Sequence, residues 1–332
     1  MSLDTAPAKP HERLAQILTG DLEKVNGLIR ERMASEHAPR IPEVTAHLVE
    51  AGGKRLRPML TLAAAHLCGY EGPYHIHLAA TVEFIHTATL LHDDVVDESE
   101  KRRGRPTANL LWDNKSSVLV GDYLFARSFQ LMTDTGNIRV LRILSDAAAT
   151  IAEGEVLQLT AAQDLATTEA IYLQVVRGKT AALFSAATEV GGVIADRPED
   201  EVRALFDYGD ALGIAFQIVD DLLDYWGSDA TGKNVGDDFR ERKMSLPLIK
   251  AVAAADTEER AFWQRTIEKG DQRDGDLEHA LALMNRHGAL EATRDEALKW
   301  SAKAKAAMSS LPQSEMRDLL IDLNDYVVER VS

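Results

Sequence analysis

Apolar residues recur at helical spacing along almost the whole chain, and this periodicity limits the fold more than any other feature. In residues 20–33, for example, Leu22, Val25 and Ile29 form one stripe with charged residues opposite. Similar patterns fill residues 43–50, 58–68, 75–98, 116–133, 137–163, 168–190, 199–225 and most of 245–331. Strand patterns are almost absent. The sequence therefore predicts an all-α protein.

The breaks between these helical segments are short, and none has the composition of a linker. Glycine, proline and polar residues form them at 51–54, 69–73, 103–106, 134–137, 191–200 and 227–238. We therefore predict a single large helical domain over residues 13–332, built around a central active-site cavity. A mobile tail is predicted for residues 1–12.

Charge and cysteine content exclude several kinds of partner. The 332 residues carry a formal net charge of −16, which argues against nucleic acid because phosphate binding needs a basic face. Cys68 is the only cysteine, so a reducing compartment is predicted. The polar N-terminal stretch contains no apolar signal region, and no apolar run is long enough for a membrane span. A cytoplasmic location is expected.

Two acidic clusters share the spacing D-D-x-x-D within apolar sequence. They consist of Asp93, Asp94 and Asp97, and of Asp220, Asp221 and Asp224. Residues four apart share one helix face, where like charges repel, so each cluster needs a cation to be stable. One such cluster alone is as typical of a solvated helix face as of a metal site. Two copies, each flanked by aliphatic residues such as leucine and valine, instead favour two facing helices that bind Mg²⁺ through carboxylates.

Other metal centres fit the sequence less well. A di-iron bundle needs repeated Glu-x-x-His pairs, and residues 83–86 supply that spacing only once beside an acidic helix. Histidine and cysteine residues at the spacing typical of zinc ligands are missing, so zinc is not expected.

Basic residues at scattered positions complement the acidic clusters. They are Lys54, Arg55, Arg57, Arg102, Arg103, Lys179, Lys233 and Lys243. Each alone is typical of a surface cation. Residues 178–180 also resemble the end of a P-loop, but Leu173 replaces the required glycine and no strand precedes it. Together the acidic and basic residues predict a site for two diphosphates, one bound through metal and one by lysine and arginine.

With these motifs the chain resembles a known family, the trans-isoprenyl diphosphate synthases, and within it the long-chain octaprenyl to decaprenyl branch. The resemblance rests on "GGKRLRP", "HTATLLHDDVVDES", "RRGRPTAN", "VLVGDYLFARSF", "AEGEVLQL", "GKTAALF", "FQIVDDLLDY" and "GKNVGDDF", in the family's order. It implies an isoprenoid synthase fold, a homodimer and about three Mg²⁺ per site with diphosphate bound. It also implies addition of isopentenyl diphosphate to an allylic diphosphate, with farnesyl diphosphate as the expected primer.

The resemblance also implies roles for matching residues. The principal Mg²⁺ ligands would be Asp93, Asp97 and Asp220, supported by Asp94, Asp221 and Asp224. The isopentenyl diphosphate would be bound by Lys54, Arg57, His86 and Arg103. The allylic diphosphate would contact Arg102, Lys179, Lys233 and Lys243, with Thr180 and Gln217 near the developing cation. Two positions depart from the family's "EGK-x-TLP", since Arg242 replaces Gly and Ser245 replaces Thr, which leaves the local loop shape open.

A second stripe beside the aspartates predicts the product length. It contains Thr81, Ile85 and Ala88, and short-chain relatives carry aromatic residues where Ala88 and Thr89 stand. Each helical turn adds about 5.4 Å of depth to a groove that is open here. The resemblance to the long-chain branch then implies a product of about eight to ten isoprene units, as in quinone side chains. Close helix packing alone would also explain the small residues. Candidates for the floor of the groove are Phe125, Phe129 and Met132.

Three other functions remain as alternatives. A class I terpene cyclase also ionises allylic diphosphates, but it usually has an N-S-E type second motif and does not need the Lys54 and Arg57 pocket. A non-catalytic partner subunit typically loses aspartates that this chain retains. A medium-chain synthase, making farnesyl or geranylgeranyl diphosphate, would have a blocked groove.

Overall fold

A computed structural model describes residues 8–50, 55–102, 104–226 and 235–331, and these residues are almost entirely helical. The α-helices, α1 to α17 in chain order, are Pro10–Ile17, Thr19–Met33, Arg40–Glu50, Leu56–Leu67, Tyr74–Val96, Ala108–Leu111, Asn114–Asp134, Ile138–Ala161, Glu169–Val176, Ala182–Ile194, Glu199–Trp226, Asp237–Arg240, Leu246–Ala254, Thr257–Trp263, Asp276–Arg286, Ala289–Met308 and Glu315–Glu329. Two π-helices, π1 and π2, are Arg177–Ala181 and Gln264–Glu268, and strands β1 and β2 are Lys101–Arg102 and Arg105–Pro106. The predicted all-α class is confirmed. No helix within the described residues combines the length and the apolar character needed to cross a bilayer.

The first helix begins inside the segment predicted as a tail. Proline at position 10 starts α1, where its missing N–H is not needed. The backbone N–H of Lys9 donates to the carboxylate of Glu12 at 2.9 Å, which caps the first turn. Residues 10–12 are therefore helical, while residues 1–7 lie outside the described residues.

Residue contacts divide the chain into two compact units, each assembled from separate stretches of sequence. Unit 1 comprises Met1–Ala148, Ala186–Phe206 and Ser310–Leu320. Unit 2 comprises Ala149–Ser185, Asp207–Ser309 and Ile321–Ser332. Most of the divisions fall within helices, such as α8 and α11, where no linker would mark them in the sequence; the division after Ser309 lies in the loop between α16 and α17.

Helix α5 is the centre of unit 1. It packs against α2, α4 and α7, and its side chains Leu78, Val82 and Ile85 are fully buried. A helix surrounded by others must be apolar on most sides, which explains the long apolar run before the first acidic cluster. This packing orients the C-terminal end of α5, where Asp93 lies.

A two-stranded hairpin follows α5 and was not predicted as strand. Lys101 pairs with Pro106 and Arg102 with Arg105 in antiparallel register. Gly104 makes the turn with a φ of 76°, a left-handed conformation that glycine adopts without strain. The predicted break at 103–106 is thus a turn that returns the chain beside α5.

In unit 2, α8 and π1 approach so closely that only glycine fits at the crossing. A Cβ on Gly154 would lie 2.8 Å from the backbone nitrogen of Lys179, and one on Gly178 would lie 2.8 Å from the Cα of Gly154. The sequence predicted one continuous helix over 168–190, but π1 interrupts it here. A π-turn is typical of functional sites, and this one carries Lys179 and Thr180.

The glycine crossing gives a testable prediction for stability. Gly178→Ala should lower the free energy of unfolding by about 1–3 kcal/mol, because the clash is with backbone atoms that cannot move independently. Gly27→Ala in α2 is the matched control, since its Cβ meets nothing within 4 Å and should stabilise the helix by about 0.5–1 kcal/mol. Urea unfolding followed by circular dichroism measures both. Equal effects of the two substitutions would contradict the crossing.

Candidate active site

The first acidic cluster lies at the C-terminal end of α5. Asp93 and Asp94 occupy its last turn, and Asp97 follows directly, its backbone N–H donating to the carbonyl of Asp93 at 2.8 Å. Asp93 is half-buried and Asp97 is exposed. The C-terminal end of a helix carries partial negative charge, so three carboxylates there are unfavourable without cations.

The second aspartate of this cluster is used inside the protein. Asp94 is fully buried, and its Oδ1 accepts hydrogen bonds from Nε and Nη2 of Arg102 at 2.9 and 2.8 Å. Its Oδ2 has no hydrogen-bond partner within the part of the chain that the structure describes. The hairpin therefore places Arg102 beside Asp94, where it neutralises the buried carboxylate. This ion pair was not predicted from the sequence.

At the start of α4, the structure brings two of the predicted diphosphate-binding residues together. Nη1 of Arg57 lies 3.3 Å from Nε2 of His86, which projects from α5. Arg55, just before α4, is in the left-handed region with a φ of 49° and forms an ion pair with the buried Glu83. Arg55 thus anchors the turn, while Arg57 and His86 form a half-buried cationic pair.

The second acidic cluster lies near the C-terminal end of α11, and again its second aspartate is buried. Asp221 accepts hydrogen bonds from the hydroxyl of Tyr172 at 2.6 Å and from Nε2 of Gln217 at 2.8 Å. Asp220 and Asp224 are half-buried. Each acidic cluster therefore has a first aspartate near solvent and a second held by protein donors.

Burial raises the pKa of acidic groups in the second cluster and beside it. It raises the pKa of Asp221 to about 6, although the bonds from Tyr172 and Gln217 act in the opposite direction. Burial, together with the charges of Asp221 and Asp224, also raises the pKa of Asp238 well above its usual value. Carboxyls that resist ionisation alone become favourable anions when a cation is bound beside them.

Helix π1 places Lys179 and Thr180 on a polar network in unit 2. Nζ of Lys179 lies 2.9 Å from Oε2 of Glu155, and the hydroxyl of Thr180 donates to Oε1 of Gln217 at 2.9 Å. Since Gln217 also donates to Asp221, its amide orientation is fixed from both sides. The predicted residues Lys179, Thr180, Gln217 and Asp221 therefore lie close together in this unit.

The loop after α11 is anchored to the last aspartate of the cluster. Asp224 accepts backbone hydrogen bonds from Asp237 at 3.2 Å and Asp238 at 3.0 Å. Lys243 lies beside this loop, its Nζ 3.9 Å from Asp238 and also paired with Glu241. Burial raises the pKa of Asp224, which these backbone bonds partly offset.

The backbone conformation of Arg242 shows the loop shape at the position where the family has glycine. It adopts a φ of 58°, the left-handed region that a glycine at this position would occupy without strain. The arginine therefore keeps the backbone conformation at a cost of about 1–2 kcal/mol. Its Nη1 donates to the carbonyl of Ile267 at 3.5 Å. Ser245, the other departure, is buried and donates to the hydroxyl of Tyr225 at 3.3 Å.

Most of the residues proposed for product length belong to the interior of unit 1, but Phe129, a candidate for the floor of the groove, is exposed. Thr81, Ile85 and Ala88 are fully buried on α5, and Met132 is buried on α7, which packs against it. Thr89 is half-buried, and its hydroxyl donates to the carbonyl of His86. A groove at this position stays a prediction.

Three predicted site residues, Lys54, Arg103 and Lys233, lie outside the described residues. Conversely, the structure adds partners that the sequence analysis did not assign to the site. They are Glu83, Glu155, Tyr172 and Asp238. Glu155 lies in a quoted motif, but no pattern in the sequence connects Tyr172 with Asp221, 49 positions away.

The donor set fits a hard divalent cation. In unit 1, Asp93 is half-buried and Asp97 is exposed, and in unit 2 Asp220 is half-buried, so each cluster offers carboxylate oxygens without the sulfur ligands that favour softer metals. The buried Oδ2 of Asp94 is a further acceptor in need of a donor. Because each cluster also lies at the negative end of its helix, the residues of each fit Mg²⁺.

Comparisons with known proteins show the family to which the chain belongs. Residues 38–284 match the polyprenyl synthetase family. The chain is 45% identical to the octaprenyl diphosphate synthase of Escherichia coli over 320 residues, which is 96% of this chain and 98% of the relative. The crystal structure of a decaprenyl diphosphate synthase from Rhodobacter capsulatus is 77% identical, with a TM-score of 0.95 over 97% of this chain and 100% of that one.

A third relative was solved with bound ligands. The structure of a polyprenyl synthase from Caulobacter crescentus, complexed with calcium and isoprenyl diphosphate, is 49% identical. Its TM-score is 0.91, and the match covers 98% of this chain and 100% of that one.

The chain belongs to the polyprenyl synthetase family, whose members are divalent metal-dependent synthases. Within that family it is a long-chain trans-polyprenyl diphosphate synthase of the octaprenyl to decaprenyl group. The predicted family, isoprenoid synthase fold and long-chain prenyl transfer are therefore confirmed. The terpene cyclase, the non-catalytic subunit and the medium-chain synthase are correspondingly not supported.

The contact between Asp94 and Arg102 predicts a stability effect separate from ligand binding. Arg102→Met should lower the free energy of unfolding of the ligand-free protein by about 3–5 kcal/mol, because it leaves a buried charge unpaired. The double variant with Asp94→Asn should recover part of this loss. Arg105→Met, an exposed arginine on the same hairpin, is the control. If Arg102→Met unfolds like the control in urea, the arginine has no structural role.

Proposed function

We propose that the protein extends farnesyl diphosphate by successive additions of isopentenyl diphosphate, and that the product supplies quinone side chains. The observation that supports the proposal is the difference in burial between the aspartates of each cluster. In each cluster the second aspartate is buried and bonded to the protein, whereas the first is only half-buried. This arrangement supports metal binding by Asp93, Asp97 and Asp220, with three Mg²⁺ per site when diphosphate is bound.

Bound Mg²⁺ would supply Lewis-acid stabilisation of the diphosphate that leaves the allylic substrate. The protein's cations position that diphosphate. Arg102 uses Nε and Nη2 for Asp94, so Nη1 is the nitrogen that can reach a phosphate oxygen. Lys179, held at Glu155, together with Lys233 and Lys243, completes this allylic subsite in the proposal.

The pair Arg57 and His86 is proposed to bind the second substrate, isopentenyl diphosphate, together with Lys54 and Arg103. Both members of the pair are half-buried, so an anion there would be only partly screened by water. Their contact at 3.3 Å, in which Nη1 of Arg57 can donate to Nε2 of His86, keeps the two side chains on one small surface. A diphosphate has enough oxygens to accept from both.

The chemical step breaks the allylic C–O bond and forms a C–C bond. The electron pair of the C–O bond leaves with diphosphate, and the double bond of isopentenyl diphosphate then attacks the allylic carbon. A proton lost from the neighbouring carbon restores a double bond, and the departed diphosphate accepts it. Thr180 and Gln217 present oriented dipoles, since Gln217 is hydrogen-bonded to both Thr180 and Asp221.

We also propose that the protein is a cytoplasmic homodimer. Large apolar side chains of α6, α7 and α8 in unit 1 are exposed, as at an interface. They include Leu110, Leu111, Leu119 and Ile138. Light scattering of the purified protein measures the oligomeric state.

The activity is tested with purified protein, Mg²⁺, farnesyl diphosphate and labelled isopentenyl diphosphate. Dephosphorylated products separated by chromatography should form a ladder that ends at the octaprenyl to decaprenyl length. Asp220→Asn should reduce turnover by on the order of 100-fold or more, because it removes a proposed metal ligand. Asp146→Asn, at an exposed position of α8, should leave turnover unchanged. No incorporation by the wild-type protein would contradict the proposal.

Product length is tested by filling the proposed groove. Ala88→Phe places an aromatic ring on the buried stripe of α5 and should shorten the main product to four isoprene units or fewer, about half the predicted length. Thr89→Ala, which adds no volume at the next position, should leave the length unchanged. Circular dichroism confirms that both variants fold. An unchanged ladder from folded Ala88→Phe would show that the product does not pass this residue.

A further inference from the structure

Three potential metal ligands from separate helices meet in unit 1, away from the acidic clusters. Asp21 comes from the first turn of α2, His66 from the last turn of α4 and His75 from the first turn of α5. Oδ2 of Asp21 lies 2.7 Å from Nε2 of His66 and 3.2 Å from Nε2 of His75. Their ligand atoms all lie within 4.8 Å of one another.

We propose that Asp21, His66 and His75 form a binding site for a divalent transition metal, with Zn²⁺ as the best fit and water as the fourth ligand. Four-coordinate zinc binds nitrogen and oxygen at about 2.0–2.1 Å, which puts neighbouring ligand atoms roughly 3.3 Å apart. The observed spacings of 2.7 and 3.2 Å from Asp21 need only small movements to reach that value.

The surroundings hold the ligands in place. The ring of His75 makes edge contacts with those of His66 and Tyr70, each at a centroid distance of 5.7 Å. The side chains of Asp21 and His75 are 13% and 11% exposed, whereas His66 is 41% exposed, so the open coordination position faces solvent. Lys24 binds Oδ1 of Asp21 at 2.8 Å and leaves Oδ2 to the two histidines.

The protonation states agree with this geometry. Burial lowers the pKa of His75, which keeps its imidazole neutral, the form that binds metal. Burial alone would raise the pKa of Asp21, but its bonds to Lys24 and the histidines bring it down to about 2. The carboxylate is therefore ionised at neutral pH.

The proposed site is physically separate from the first acidic cluster. His75 and Asp93 are 18 positions apart on one helix, a distance of about 27 Å along its axis. Its imidazole ligands also suit zinc, whereas Mg²⁺ prefers oxygen ligands. Sequence spacing could not reveal the cluster, because Asp21 is 45 and 54 positions from the two histidines. A bound ion would join the ends of α2, α4 and α5.

The test uses the full-length protein, stripped of metals with a chelator and then kept in excess Mg²⁺ to occupy the acidic clusters. Titration with Zn²⁺ by calorimetry should reveal one binding event per chain, and Co²⁺ should give the intense visible absorption of a four-coordinate complex. His66→Gln should weaken binding by on the order of 100-fold or more and remove the absorption. Zn²⁺ should raise the melting temperature of the wild-type protein but not of this variant.

The matched control is His77→Gln, which alters a half-buried histidine two positions from His75 but outside the cluster. It should bind Zn²⁺ like the wild-type protein. Asp21→Asn provides a second loss-of-ligand variant if His66→Gln does not fold. Prenyl transfer with Mg²⁺ alone should be unchanged in His66→Gln. Equal Zn²⁺ affinity of the wild-type and His66→Gln proteins, or equal loss in His77→Gln, would overturn the proposal and leave a hydrogen-bonded histidine and aspartate cluster.

Discussion

Carboxylates concentrated at the negative ends of two helices are the constraint on which the rest of the structure depends. The C-terminal ends of α5 and α11 each carry a D-D-x-x-D cluster, so the negative charge of three aspartates adds to the partial negative charge of the unpaired carbonyls. The protein relieves part of this repulsion with its own groups. Arg102 neutralises Asp94, and the hydroxyl of Tyr172 and the amide of Gln217 solvate Asp221.

Helical geometry explains why the second aspartate of each cluster is the buried one. The first and third aspartates are four residues apart and share a face, whereas the second is rotated by about 100° from the first. In both helices that rotation turns it toward the protein interior. The D-D-x-x-D spacing thus describes two kinds of carboxylate, one that is more exposed and proposed to bind metal, and one that ties the helix end to its unit.

The sequence was sufficient for the parts of the site that depend on local periodicity. The helices, the shared face of Asp93 and Asp97, and the acidic and basic inventory all follow from residues within a few turns of each other. The ion pair between Asp94 and Arg102 could not be predicted in this way, because the position of Arg102 depends on the pairing of strands β1 and β2. Likewise the interruption by π1 was not predicted, and the close approach of Gly154 to Gly178 there joins residues 24 positions apart, beyond the reach of local periodicity.

Helix α5 carries several residues with proposed functions along one uninterrupted α-helix from Tyr74 to Val96. His75 starts it, Ala88 lies in its buried middle and Asp93 lies in its last turn. A single inserted or deleted residue would rotate everything beyond it by about 100° and shift it by about 1.5 Å. Evolution can therefore vary this helix by substitution but scarcely by changes of length, so family members with different products are expected to align here without gaps.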